Sequence, residues 1–258
     1  MLKIDYYLSV ISPWTYLVGN RVAKIADRYG AQIVYKPVDP SALFARTGGL
    51  PLSERHENRR AYRLQELRRQ SAKTGMPLTL HPAHFPTNPA PAAYAIIAAQ
   101  QAGGGDIHAL VQSLCAACWA EDRNVAEDAV IADCLKRAGF DPGLSFTGML
   151  AGADVYPRNL EEGIAAGVFG VPFFIVGDER FWGQDRVDDL ESWLAGSSQH
   201  DQHAVVWRAG RRAQPVCPLL SGSCRELGAH DRIVALRCRW LGLRHARART
   251  KPDAGADR

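Results

Sequence analysis

A short polar turn near the start of the chain has residues suited to thiol chemistry. Ser12-Pro13-Trp14-Thr15 follows residues 2–8, which are dense enough in apolar and aromatic side chains for a partly buried strand. Serine is a preferred N-cap and proline a preferred first helical residue, so a helix is predicted to begin at Pro13. The free N–H groups at a helix N-terminus lower the pKa of a nearby thiol.

The turn itself contains no cysteine. Disulfide exchange requires a thiolate, so the turn is excluded as a redox centre. What remains is the hydroxyl of Ser12, which is suited to donating a hydrogen bond to a thiolate of another molecule. The plainer interpretation is that Ser12 is only the N-cap of a helix. Its position after the first strand, together with a later Val-Pro pair, favours the functional interpretation.

Two later segments are predicted to complete a binding site. Val171-Pro172 begins another strand, and with Pro172 cis the Val171 N–H and C=O can pair with an extended peptide. In Trp182-Gly183-Gln184-Asp185, which precedes the last helix, free N–H groups can bind a carboxylate and Asp185 can hold an ammonium group. Together these features predict a pocket for a small zwitterionic thiol peptide. Taken alone, Asp185 is equally well an ordinary N-cap.

The cysteine pair and the arginine-rich stretch allow two interpretations each. Cys115 and Cys118 have the spacing of a redox or zinc pair, but they fall in an amphipathic helical pattern, where cysteine packs as a small hydrophobe.

Residues 54–69 either form a solvated basic face or attract an anionic substrate. No metal is expected, because the remaining candidates lack a trusted ligand spacing: His81, His84 and His108.

The elements that must position these residues predict a thioredoxin-like α/β fold. The apolar stripe extends the first helix from Pro13 to Gly30, and a second strand covers residues 32–38. A helical middle follows, its last helix placed after Pro157, before a hairpin and a final helix led by Asp185. We therefore expect an all-helical insertion between the second and third strands. The predicted domains are a thioredoxin-like domain (1–40 and 168–197), the insertion (41–167) and a C-terminal tail (198–258).

Composition separates the tail from the rest of the chain. Residues 198–258 hold 12 of the 31 Lys and Arg residues but only 5 of the 27 Asp and Glu residues. A basic tail raises the possibility of nucleic-acid binding, but no recognisable motif supports it, and we expect disorder and no nucleic-acid partner. The sequence has no run of about 18 apolar residues and no long apolar leader, so it predicts no membrane partner and a cytoplasmic location.

Motifs along residues 2–196 resemble the 2-hydroxychromene-2-carboxylate isomerases, relatives of kappa-class glutathione transferases and DsbA-like proteins. The matching segments occur in the same order as in that family. They are Ser12-Pro-Trp-Thr-Tyr-Leu17, Tyr35-Lys-Pro-Val-Asp39, Leu43-Phe44 with Gly48-Gly49, Tyr62-Arg-Leu-Gln-Glu-Leu-Arg68, His84-Phe-Pro86, Trp119-Ala-Glu-Asp-Arg123, Gly167-Val-Phe-Gly-Val-Pro172 and Phe181-Trp-Gly-Gln-Asp-Arg186.

The resemblance implies a glutathione-dependent isomerase that acts on a small aromatic carboxylate and forms a homodimer. It assigns thiol activation to Ser12 and substrate binding to Arg55, although Glu54 and Phe44 depart from the family pattern. The alternatives are a kappa-like glutathione transferase, which would consume glutathione, and a non-catalytic thioredoxin-fold binding module. The resemblance assigns glutathione contacts to Val171, Pro172, Trp182, Gly183, Gln184 and Asp185.

Overall fold

The first and third strands of the chain lie side by side and bring distant segments together. The computed structural model describes residues 2–199, whose four strands are β1 (Lys3–Leu8), β2 (Gln32–Pro37), β3 (Phe173–Val176) and β4 (Glu179–Trp182). They form one sheet in the order β2–β1–β3–β4, with β1 parallel to β2 and antiparallel to β3. Because Tyr7 pairs with Phe173, the end of β1 lies beside the beginning of β3.

The helices confirm the predicted fold class. Seven of the ten α-helices in the described part of the chain lie between β2 and β3, as expected for a helical insertion in a thioredoxin-like fold. The exact domain boundaries stay a prediction, and residues 200–258 of the tail lie outside the described residues. The helices are α1 (Pro13–Tyr16), α2 (Arg21–Tyr29), α3 (Pro40–Thr47), α4 (Glu57–Thr74), α5 (Ala90–Ala102), α6 (Ile107–Trp119), α7 (Asp128–Arg137), α8 (Leu144–Thr147), α9 (Met149–Ala165) and α10 (Val187–Gln199).

The single helix predicted from Pro13 to Gly30 is wrong, because two helices occupy this segment. α1 has one turn and α2 begins at Arg21. Between them Gly19 adopts the left-handed conformation, with φ +56°, which ends a helical run at little cost for glycine. The apolar stripe continues across the break, since Leu17 and Val22 are both fully buried. Periodicity therefore identified the buried face correctly but not the break.

The helix predicted to begin after Pro157 is also wrong. α9 already begins at Met149 and contains Pro157 in its interior, where proline removes a hydrogen bond and costs about 3 kcal/mol. Packing on both sides supports the helix: α9 lies along α5, and the buried Asn159 Nδ2 donates to the Pro37 carbonyl at 3.1 Å. Tertiary contacts thus outweigh the local helix-breaking tendency.

One apolar core connects the sheet to the inserted helices. It includes Tyr6 and Leu8 of β1, Phe174 of β3, and Leu114 and Trp119 of α6, all fully buried. The insertion is therefore packed onto the sheet as part of the same core. Among the described residues, no helix is both long and apolar enough to cross a bilayer, and the cytoplasmic location stays a prediction.

Candidate active site

Ser12 lies at the junction of β1, α1 and the segment before β3. Its Oγ accepts a hydrogen bond from the Thr15 N–H at 3.3 Å, which makes Ser12 the N-cap of α1. The same hydroxyl donates to the Val171 carbonyl at 3.3 Å, although the two residues are 159 positions apart in the chain. Ser12 is only 9 % exposed, so its hydroxyl is held in one place by partners on both sides.

The segment before β3 presents its backbone at the same point. The Val171–Pro172 peptide bond is cis, as expected. The Val171 carbonyl is engaged by Ser12, whereas the Val171 N–H has no hydrogen-bond partner within residues 2–199. A backbone N–H beside the Ser12 hydroxyl is therefore available to an added peptide strand.

Because α1 is short, its dipole stabilises an anion at this turn less than a long helix would. A helix of four residues has a weaker dipole than the long helix predicted from the sequence, because fewer peptide dipoles add together. Stabilisation of an anion here therefore depends more on the Ser12 hydroxyl itself. A charge-assisted hydrogen bond contributes about 1.5–3 kcal/mol.

The cysteines of the described chain are buried in the helical core. Cys115 and Cys118 lie on α6 and Cys134 lies on α7. Burial raises the pKa of Cys118 to about 12 and also raises the pKa of Cys115 and of Cys134. These thiols stay protonated at neutral pH and pack as small apolar groups, in agreement with the favoured sequence interpretation.

The segment after β4 contacts the Val171–Pro172 segment through its backbone. The Gly183 N–H donates to the Pro172 carbonyl at 3.0 Å. This amide is therefore not free to bind a carboxylate, whereas the sequence predicted free N–H groups in this segment. Trp182 is 53 % exposed and packs against Phe169. A Cβ at Gly170 would lie only 2.6 Å from Trp182 Nε1, so glycine is required at position 170 for this close approach.

Gln184 and Asp185 differ in their accessibility. Gln184 is buried, and its backbone carbonyl and Oε1 accept hydrogen bonds from Arg21 Nη2 at 2.7 and 3.0 Å. Asp185 is exposed, with Arg186 at 3.4 Å, and its carboxylate is open to a ligand. It lies in a 3₁₀ turn that precedes α10, so the prediction that Asp185 leads the last helix was wrong by two residues.

Arg21 is a residue that the sequence analysis missed. Besides Gln184, it contacts the Leu17 and Val18 carbonyls, and thus connects the end of α1 to the segment before α10. Burial lowers the pKa of Arg21, while Asp188 and Asp185 act in the opposite direction. No sequence signal marks it, because its partner Gln184 is 163 positions away.

A groove of about 550 Å³ opens next to these residues. Its walls are the turn between α1 and α2, the end of α4, and the segment that contains Gln184, Asp185 and Asp188. This volume lies in the usual range for small-molecule sites. Ser12 is outside the groove, at the beginning of the short helix whose end lines it.

Arg55 lies in the helical insertion, just before α4. Its Nε donates to the Leu50 carbonyl at 2.8 Å, and its guanidinium lies over the Phe44 ring at 5.6 Å from the centroid. Burial and the charge of Arg59 lower the pKa of Arg55. In the described part of the chain Arg55 has no direct hydrogen bond to Ser12 or to the segment around Asp185, so its role in a shared site stays a prediction.

Comparison with known proteins first identifies the class to which this fold and turn belong. The family model of the DSBA-like thioredoxin domain matches residues 3–195, and the chain therefore belongs to the DsbA-like thioredoxin family. Within it, the chain is similar to 2-hydroxychromene-2-carboxylate isomerase from Sphingobium xenophagum, with 30% identity over 194 residues, 74% of this chain and 97% of the relative. The resemblance inferred from the sequence motifs is confirmed.

Solved structures agree with this classification. A structure of 2-hydroxychromene-2-carboxylate isomerase superimposes with a TM-score of 0.64 and 25% identity, covering 78% of this chain and 98% of that protein. The cytosolic disulfide reductase DsbM from Pseudomonas aeruginosa, solved with GSH, has a TM-score of 0.55 and 17% identity, covering 77% of this chain and all of that protein. The similarity to DsbM, at 17% identity, shows a common fold alone.

Proposed function

We propose that this protein is a glutathione-dependent isomerase that interconverts 2-hydroxychromene-2-carboxylate and trans-o-hydroxybenzylidenepyruvate. The observation that carries the proposal is the Ser12 hydroxyl, which lies against the Val171 carbonyl at a turn without any thiol. Such a turn can stabilise a thiolate but cannot supply one. The similarity to proteins named 2-hydroxychromene-2-carboxylate isomerase supports this reaction for this chain.

The residues around Ser12 fit glutathione by their chemistry. The Val171 N–H, unpartnered within residues 2–199, suits the carbonyl of a cysteinyl residue, as in addition of a peptide strand. The exposed carboxylate of Asp185 suits the ammonium group of a γ-glutamyl residue. Trp182 offers an exposed apolar wall, while Pro172, Gly183 and Gln184 shape the site through their backbones.

The chain's own contribution to the reaction is to stabilise a negative charge on sulfur. Bound glutathione supplies a thiolate that adds reversibly to the conjugated carbon of the substrate, so that a double bond becomes a single bond that can rotate. The Thr15 N–H donates to Ser12 Oγ, which polarises the hydroxyl and makes it a stronger donor. A charge-assisted bond of about 1.5–3 kcal/mol lowers a thiol pKa of about 8.5 by roughly one to two units. The thiolate is then abundant at neutral pH.

The proposal predicts isomerisation that depends on glutathione without consuming it. The purified protein should convert the chromene carboxylate in a spectrophotometric assay only when glutathione is present. Free thiol, titrated in the same samples, should stay constant through many turnovers. Loss of one thiol per product would identify a kappa-like glutathione transferase instead, and binding of glutathione without any turnover would indicate a non-catalytic module.

Assembly and location are additional proposals. The family resemblance implies a homodimer, which sedimentation equilibrium of the purified chain would test directly. A cytoplasmic location agrees with a requirement for reduced glutathione, and fractionation of expressing cells would test it.

A further inference from the structure

Arg63 of α4 is a cation that forms no ion pair with the described residues of the chain. Its side chain is largely withdrawn from solvent, and its guanidinium lies over the Trp119 ring at 5.9 Å from the centroid. Within residues 2–199 it makes no hydrogen bond and no ion pair. A guanidinium has five N–H donors, so a partly buried one with none engaged leaves its binding capacity unused.

Arg63 differs from the other arginines of the described chain, which contact a carboxylate, hydrogen-bond to a backbone carbonyl or are exposed. Several of them contact a carboxylate at the surface: Arg46 with Glu161, Arg69 with Glu66, Arg123 with Asp133 and Arg137 with Glu121. Burial, together with the charge of Arg55, lowers the pKa of Arg63 to about 10. The charge of Arg55 thus acts on Arg63 as a second cation, and an anion bound to Arg63 would offset this repulsion.

The surroundings of the two arginines are aromatic. Arg55 covers Phe44, Arg63 covers Trp119, and Phe85 packs against Trp119 with ring centroids 5.0 Å apart. The arginines match the carboxylate of a ligand, because an arginine fork binds a carboxylate with two parallel hydrogen bonds. Trp119 is fully buried, so the partly exposed rings of Phe44 and Phe85 are the ones that suit an aromatic ring of the same ligand.

A chain of contacts connects this cluster to the turn at Ser12. α1, which begins directly after Ser12, packs against α6, the helix that ends at Trp119. In addition, the Tyr16 hydroxyl donates to the Pro77 carbonyl at 2.7 Å, and the Thr79 N–H donates to the Trp119 carbonyl at 2.7 Å. The helix that Ser12 caps is thus packed against α6, whose last residue, Trp119, lies against the Arg63 guanidinium.

We propose that Arg63 binds the carboxylate of the aromatic substrate and determines the preference of the site for an anionic ligand. This inference rests on the proposed function, since it names the group that would hold the substrate while Ser12 stabilises the thiolate. It separates Arg63 from the exposed arginines of α4, which are Arg59, Arg60, Arg68 and Arg69.

Calorimetric titration with two unreactive ligands tests the inference. The probes are 3-phenylpropionate, whose saturated chain cannot add a thiol, and its neutral amide. The wild-type protein should bind the carboxylate at least about tenfold more tightly than the amide, because a charge-assisted bond is lost in the amide. Arg63→Gln should abolish this preference, and Arg63→Lys, which keeps the charge, should retain part of it.

Arg68→Gln is the matched control, since Arg68 is exposed on the same helix; it should leave both affinities within about twofold of wild type. Equal affinity of the wild-type protein for the two probes would overturn the inference, as would an unchanged preference in Arg63→Gln. Failure of the proposed function looks different. In that case the wild-type protein would distinguish the probes but would not isomerise the chromene carboxylate.

Discussion

At the scale of single residues, the main feature is a hydroxyl where a redox protein of this fold would have a thiol. Ser12 Oγ accepts from Thr15 and donates to Val171, both at 3.3 Å. A bound thiolate would compete with the Val171 carbonyl for the hydroxyl proton, and it would succeed because an anion accepts more strongly than a neutral carbonyl. In the proposed mechanism the Ser12 oxygen remains the helix cap, while its proton is donated to the Val171 carbonyl without ligand and to the thiolate with it.

We predict that Ser12→Ala lowers the glutathione-dependent kcat/KM by about 10- to 100-fold, because a charge-assisted hydrogen bond of about 1.5–3 kcal/mol is lost. Removal of the N-cap should cost only about 1 kcal/mol of stability. The measurement is steady-state isomerisation together with a thermal melt.

Ser192→Ala provides the control for Ser12→Ala. Ser192 is exposed, and its hydroxyl donates to the Asp188 carbonyl within α10, so its removal should leave the rate unchanged. Full activity of Ser12→Ala at neutral pH would mean that Ser12 is only a cap.

At the scale of elements, two anchors hold the segment that precedes α10. The Gly183 N–H attaches it to Pro172, and Arg21 attaches it to the end of α1 through Gln184. Both anchors bind backbone carbonyls, and Arg21 also binds Gln184 Oε1, so together they fix the position of Asp185. Arg21 is accordingly a positioning residue in the proposed glutathione site.

We expect Arg21→Met to raise the KM for glutathione by roughly tenfold with kcat nearly unchanged, because the segment around Asp185 loses hydrogen bonds from a charged group. The measurement is a series of initial rates at varied glutathione. Stability should also fall, and the split between KM and kcat distinguishes positioning from general destabilisation.

Arg28→Met is the corresponding control on the same helix. Arg28 is exposed and pairs with Glu191 of α10. It therefore connects α2 to α10 without touching the segment around Asp185. Its replacement should leave the KM for glutathione within about twofold. If Arg21→Met and Arg28→Met raised the KM for glutathione equally, the increase would result from altered helix packing. The role assigned to Arg21 would then be wrong.

At the scale of the whole molecule, the insertion and the sheet share one core. Side chains from β1, β3 and α6 form a single apolar cluster, and Asn159 of α9 hydrogen-bonds to the end of β2. A disturbance within the insertion should therefore spread to the sheet, and the described residues should unfold as one cooperative unit.

We predict that Gly152→Ala destabilises this unit by about 1–3 kcal/mol through overpacking. A Cβ at Gly152 of α9 would lie 2.5 Å from Tyr94 Cα of α5, and backbone atoms cannot easily move away. Urea unfolding followed by tryptophan fluorescence and by far-ultraviolet circular dichroism should give coincident transitions at a lower midpoint.

Gly196→Ala is the opposite control, because no atom of residues 2–199 lies within 4 Å of a Cβ at that position in α10. It should raise stability by about 0.5–1 kcal/mol, as expected for alanine in place of glycine in a helix. Two separate transitions in Gly152→Ala would instead show that the insertion and the sheet unfold independently.

The sequence by itself determined the elements and the chemical type of the turn. Dense apolar segments predicted the strands, helical apolar patterns predicted a helical middle and a final helix, and the absence of cysteine in residues 12–15 excluded disulfide exchange. It could not show that Gly19 breaks the first helix or that Pro157 lies inside α9. Both outcomes depend on contacts with other elements, which a local pattern does not contain.

Only the tertiary structure decided which groups meet and which remain free. The contact from Ser12 to Val171 spans 159 positions and that from Arg21 to Gln184 spans 163, so neither leaves a trace in local periodicity. It also showed that the Gly183 N–H is already engaged and that Arg63 forms no ion pair within residues 2–199. The physical reason is that hydrogen bonding, desolvation and charge depend on distances between atoms that folding alone brings together.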